Sequence, residues 1–176
     1  MDYSESRLLG NQRERQISRF RAWVWLVVPI AAVLFDFYVP LFLPLPQFLN
    51  MPLLVVMYFA LARRSQVSGL LLGMAVGLVQ DSLSKNYLGV FGIANTLVGY
   101  FAASMGMRID VERGIVRLMI AFFFYIFHHS LVWVLSRALL GQQIGFELPS
   151  VLLQALLNAV VALPLYLFLD KLRENA

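Results

Sequence analysis

Six apolar runs divide this chain, and its basic residues gather in alternate gaps between them. The runs extend from Ala22 to Leu45, Phe48 to Ala62, Val67 to Leu83, Tyr87 to Met107, Gly114 to Leu140 and Pro149 to Leu169. Each approaches the ~20 residues that a helix needs to cross a hydrocarbon core about 30 Å thick, the second being marginal. Of the 14 Lys and Arg residues, only Lys85 and Arg137 belong to one side. The other side receives Arg7, Arg13, Arg15, Arg19 and Arg21, then Arg63 and Arg64, then Arg108, Arg113 and Arg117, and finally Lys171 and Arg173. Basic connections stay in the cytoplasm, so the expected fold is all-α: a multi-pass bundle of six transmembrane helices with both termini cytoplasmic. Five or seven spans would carry a basic cluster to the wrong side.

This pattern predicts a cytoplasmic tail over 1–21, a transmembrane domain over 22–170 and a cytoplasmic end over 171–176. A 176-residue chain that is 60% hydrophobic leaves no length for a soluble domain. The first twenty residues are too charged for a secretory signal, and no small-residue cleavage pattern follows the first run, which should therefore persist as a span. The tail from Tyr3 to Phe20 is polar with scattered Leu8, Leu9, Ile17 and Phe20, the composition of an interfacial helix or of an unordered tail. Pro40, Pro44 and Pro46 read as turn residues of the first connection, and Pro149 as a first-turn proline of the last span. With no cysteine, disulfides, thiol nucleophiles and thiolate metal sites are excluded. The basic balance is a topology signal and predicts contact with anionic lipid headgroups, not with nucleic acid.

Gly69, Gly73 and Gly77 recur every four residues along one face of the third run. Lipid tails provide no hydrophobic drive for helices to associate, so spans join by close backbone packing, which such a stripe permits. The third span is thereby expected to be central. Gly92, Gly99 and Gly106 repeat every seven residues on the fourth run and predict that these two helices pair tightly.

Polar residues inside the runs form a second pattern. At about 1.5 Å per residue, Asp36, Asp81 and His128 lie about 21 Å beyond the cytoplasmic start of their spans, and Asn95 and Asn158 about 12 to 14 Å in from the outside. All five fall in the outer half of the bundle, an outward-facing polar layer. Such groups are costly in lipid and turn toward the interior, water or one another. Asp81, followed by Ser82, Ser84 and Lys85, equally fits a helix end leaving the membrane, as does Asp36. His128 and its neighbour His129 point about 100° apart on a helix and do not readily share a metal ion.

Chemistry finds little purchase here. A serine hydrolase needs a prepared nucleophile beside a histidine, and nothing around Ser104 resembles one. Asp36 and Asp81 lack the local sequence of an aspartyl dyad. The expectation is a non-enzymatic protein without cofactor, catalytic residues or metal.

The stretch Gly69-Leu-Leu-Leu-Gly73-Met-Ala-Val-Gly77-Leu-Val-Gln-Asp81, followed by Leu88-Gly89, Gly92 and Asn95 to Tyr100, resembles the central segment of the rod shape-determining protein MreD family. The proline-led Pro52 to Tyr58 segment before the basic turn Arg63-Arg64 is similar as well. The resemblance implies a membrane subunit of the cell-elongation machinery that binds an MreC-like scaffold and, through it, an MreB filament, RodA and a class B penicillin-binding protein. It implies a role in lateral peptidoglycan synthesis and cell-shape control. It maps Gly73, Gly77, Asp81 and Gly89, with Gly69 and Gly92 beside them, as packing or interaction positions. The alternative is a substrate-binding S component of an energy-coupling-factor vitamin transporter, a fold that MreD-like proteins are thought to share. Against it, Ala32 is followed four residues later by Asp36, where an Ala-x-x-x-Ala docking face would continue with alanine.

Overall fold

A computed structural model of the chain describes residues 23–42, 48–84, 89–109, 111, 113–143 and 145–172. These form α1 (Val24–Phe42), α2 (Met51–Arg63), α3 (Gln66–Leu83), α4 (Val90–Gly106), α5 (Gly114–Leu140) and α6 (Leu148–Lys171), with no strand among the described residues. The five amino-terminal arginines, the Tyr3–Phe20 segment, Lys85 and Arg173 lie outside the described residues.

Four helices, α1, α3, α5 and α6, are long and apolar enough to cross a membrane. Helices α2 and α4 are apolar but shorter, at 13 and 17 residues. The reason α2 tolerates its length is its surroundings. Every residue from Pro52 to Leu61 is buried, and α2 packs against all five other helices. A helix that is apolar on every face belongs inside a core, and one sheathed by protein need not match the thickness of a bilayer. The remaining helices surround it in the spatial order α1, α3, α4, α5, α6, with no close backbone approach between α6 and α1.

This corrects the sequence-based expectation that the third span is central: α3 exposes Val67, Leu71, Met74, Leu78 and Val79 on its outer face. Sequence alone could not separate the two, because both are apolar and the α2 run differs mainly in lacking polar positions. A second correction concerns Pro40. It lies inside α1, near its end, not in the connection. Pro149 does open α6, and Pro52 occupies the corresponding first turn of α2, where no intrahelical amide is lost.

The start of α1 and the ends of α2 and α6 meet at one end of the bundle. There Trp25 packs on Phe59 and lies under the Arg63 guanidinium, 4.6 Å from its ring centre. Beside them, Asp170 of α6 accepts a 2.8 Å bond from the Tyr58 hydroxyl of α2 and pairs at 2.6 Å with Arg117 of α5. Arg117 also donates to the Val111 carbonyl in the α4–α5 connection. Arg117 was expected among the basic residues facing lipid headgroups; instead its side chain is 12% exposed and spent on an internal clasp. Asp170, at the far end of the chain, carried no sequence signal for this pairing.

Replacing Asp170 by Ala takes the ion pair from Arg117 and the 2.8 Å acceptor from the Tyr58 hydroxyl. The expected loss is about 3 kcal/mol, at the low end for a buried pair because Asp170 keeps 30% exposure. An Arg117→Met, Asp170→Leu double variant should regain most of it. Thermal unfolding in mild detergent reads both, and a stable Asp170→Ala protein would show that the clasp does not hold α2, α5 and α6 together.

Candidate functional site

The candidate site is the α3–α4 hairpin and the polar groups that surround its outer end. Helices α3 and α4 run antiparallel with their backbones in near contact. A methyl group added at Gly69 would overlap the Gly99 carbonyl oxygen, one at Gly73 the Asn95 carbonyl oxygen, and one at Gly77 the Phe91 carbonyl oxygen. Gly99 in turn faces the Gly69 carbonyl. The stripe therefore lies on α4 of the same chain, where any side chain would force the helices apart. Gly106 is the exception among the α4 glycines: it meets Leu61 of α2, so it tightens a different interface.

Asp81 sits at the outer end of this contact and is 1% exposed. Its carboxylate accepts backbone N–H bonds from Gly89 at 2.9 Å, Phe91 at 3.0 Å and Gly92 at 2.8 Å. Those amides belong to the opening of α4, which has no partners within its own helix. A carboxylate there also faces the positive end of the helix dipole. Gly89 supplies the turn, with φ of +105°, a conformation that other residues rarely adopt. Gly92 leaves room for the carboxylate, since an added methyl would lie 3.3 Å from its oxygen. Asp81 is thus not a wet helix end.

The five residues expected to form one polar layer are held in four different ways. Asp36 of α1 accepts a long 3.5 Å bond from Gln80 of α3, whose carbonyl oxygen accepts from the Asn95 amide of α4 at 2.9 Å. Asp81 is the α4 clasp just described. His128 of α5 stacks on Phe91 at 6.1 Å, with Nε2 buried and unpartnered among the described residues. Asn158 bonds the Asn50 amide and the Phe48 and Gln154 carbonyls, Asn50 caps α2 through the Leu53 amide, and the next backbone amide, that of Met51, bonds Asp36. Tyr125 donates to Gln154 and completes this group.

Gln80, Gln154 and Tyr125 were missed from sequence. Their signal was present, since a glutamine inside an apolar run carries the same cost as an asparagine. His129 stacks on Tyr125 and lies beside Phe146.

Among the described residues, Ser104 does not meet His128 and Asp36 does not pair with Asp81. Ser104 donates to the Tyr100 carbonyl and accepts from Gln66. It lies thirteen residues, about 20 Å, along α4 from Phe91, on which His128 stacks. Asp36 and Asp81 are each held by different partners. Among the described residues, no group of three His, Asp or Glu side chains could hold a metal ion.

The family model for rod shape-determining protein MreD matches residues 14–173. No curated protein and no solved structure matches the chain.

Two substitutions separate packing from charge in the hairpin. Gly73→Ala should destabilise by about 1–3 kcal/mol through backbone overlap, whereas Gly145→Ala, with nothing within 4 Å, should be silent. Asp81→Asn keeps the shape but turns an amide toward three donors, a loss of about 2 kcal/mol. Melting temperatures of the purified chain measure all three; if Gly73→Ala melts with Gly145→Ala, close packing is not what joins α3 to α4.

Proposed function

Because this chain belongs to the MreD family of rod shape-determining proteins, we propose that it is a non-enzymatic, six-span subunit of the bacterial cell-elongation complex. It sits in the inner membrane with both termini in the cytoplasm. There it holds an MreC-like scaffold and, through it, connects to an MreB filament, RodA and a class B penicillin-binding protein, supporting lateral peptidoglycan synthesis.

The observation that carries this reading is the family match over 14–173, joined to what the resembling motif does in the fold. Gly73, Gly77, Asp81 and Gly89 build one antiparallel hairpin, and Asp81 gives both carboxylate oxygens to backbone amides. Residues committed in this way shape a surface; they do not turn over a substrate. The charge pattern supports the sidedness. Among the described residues, Arg63, Arg64, Arg108, Arg113, Arg117 and Lys171 all belong to the end of the bundle where α2 and α6 finish. A transporter-subunit role draws no support from any comparison, and Ala32 on α1 is buried and so offers no docking face.

The test is co-expression of the tagged chain with the MreC-like scaffold of the same genome, purification in mild detergent and measurement of intact-complex mass. A two-protein complex is expected, weakened by Gly73→Leu at matched protein level, with loss of rod shape in cells. A chain that ignores the scaffold yet retains a vitamin-sized ligand would replace this reading with the transporter subunit.

A further inference from the structure

Between the second half of α4 and the first half of α5 the bundle surface opens into a groove of about 380 Å³. Its walls are aromatic and held in place. Phe101 meets Phe127 edge-on at 5.6 Å, Phe124 meets Phe127 edge-on at 6.2 Å, and Met105 and Phe123 complete the lining. The one serine of the lining, Ser104, offers nothing to a ligand, because its hydroxyl is already bonded to Tyr100 and Gln66. The groove is therefore apolar along its length.

Its mouth is different. Arg108 lines the groove just past the end of α4, at the same end of the bundle as Arg117 and Asp170, and is exposed. Its guanidinium makes no hydrogen bond or ion pair with any described residue, whereas Arg117 is paired. An apolar slot that ends in one unpaired cation is complementary to an apolar chain that ends in an anion. The volume is at the small end of ligand pockets, suited to a hydrocarbon chain and not to a helix about 10 Å across.

We propose that this groove is a binding site for an anionic phospholipid of the cytoplasmic leaflet, with an acyl chain along Phe101, Phe123 and Phe127 and the phosphate on Arg108. The site rests on the cytoplasmic placement of this end of the bundle, but not on scaffold binding. A guanidinium can hold two phosphate oxygens at once, so the contact orients the headgroup as well as attracting it.

The experiment uses the full purified chain in nanodiscs of phosphatidylglycerol or phosphatidylcholine with identical tails, and counts lipids retained per chain by native mass spectrometry after release into neutral detergent. One phosphatidylglycerol per chain should be retained in about five-fold preference, the selectivity expected of one basic residue at an anionic surface. Arg108→Gln should erase the preference, Phe123→Ser should lower retention of both lipids, and Arg64→Gln, a basic residue of the same end outside the groove, should leave both unchanged. Equal retention of the two lipids overturns the proposal. So does an Arg64→Gln effect equal to that of Arg108→Gln, which reveals diffuse surface charge. A photo-crosslinker at Phe123 that captures the scaffold helix or a second copy of this chain in anionic membranes also overturns it, because the groove is then a protein interface. The lipid count involves no scaffold, so its failure leaves the shape role standing, and a failed scaffold complex leaves the lipid result standing.

Discussion

In a hydrocarbon medium two helices gain almost nothing from hiding apolar side chains from each other, so how closely their backbones approach decides whether they pair. Here three glycines at four-residue spacing bring α3 onto α4 with no side chain between the Gly73 backbone and the Asn95 carbonyl. The close approach then makes a second interaction possible. Asp81, at the outer end of the stripe, reaches the open amides of α4 and replaces the water that would satisfy them in a soluble protein. With α4 begun and aligned, Asn95 is opposite Gln80 and Gln80 reaches Asp36, so α1 joins the same hairpin. Glycine spacing, helix capping and the polar chain are successive consequences of one backbone distance.

The other half of the bundle is organised around α2, and by a different balance of forces. Its enclosed faces leave no lipid contact to set its length, so ends matter more than span. Asn50, itself held by Asn158, caps one end of α2. At the other, Tyr58 reaches the Arg117–Asp170 pair. The two polar clusters fix α2 against α5 and α6 at opposite ends, while Pro52 to Leu61 fill the space between with apolar contact. A short central helix is held here by its own Asn50 cap at one end and by side-chain bonds to α6 near both ends.

The sequence showed six apolar segments, and all six appear as helices with ends moved by a few residues; Gly114 to Leu140 is unchanged. Periodicity and charge speak directly about single helices, which is why these were legible. The glycine stripes were legible too, as a pairing of α3 with α4, since only small residues tolerate that contact. What could not be read was which helix the others surround, because burial on all faces and exposure to lipid on all faces select the same apolar residues. Depth along a helix placed Asn158 near Asp36 without showing that the adjacent amides of Asn50 and Met51 link them. The Arg117–Asp170 pair was hidden for a further reason: a basic residue at a membrane boundary satisfies the topology rule whether it points to lipid or inward.

An interior whose polar groups serve mainly to join helices constrains how such a protein acts. Carboxylates at Asp81 and Asp170 are saturated by amides and by an arginine, and the glutamines and asparagines largely bond one another or the backbone. The buried polar atoms left over among the described residues, Asn95 Oδ1, His128 Nε2 and the Tyr166 hydroxyl, are sealed from solvent, with their residues at 0%, 3% and 1% exposure. A ligand arriving from outside would have to break these helix-joining bonds before meeting them. The proposed partners would then be met on the exterior, where shape is set by α3–α4 packing and charge by the basic end of the bundle. A substitution at Gly73 or Asp81 can then alter partner binding without touching the partner, by moving the helices that form the surface.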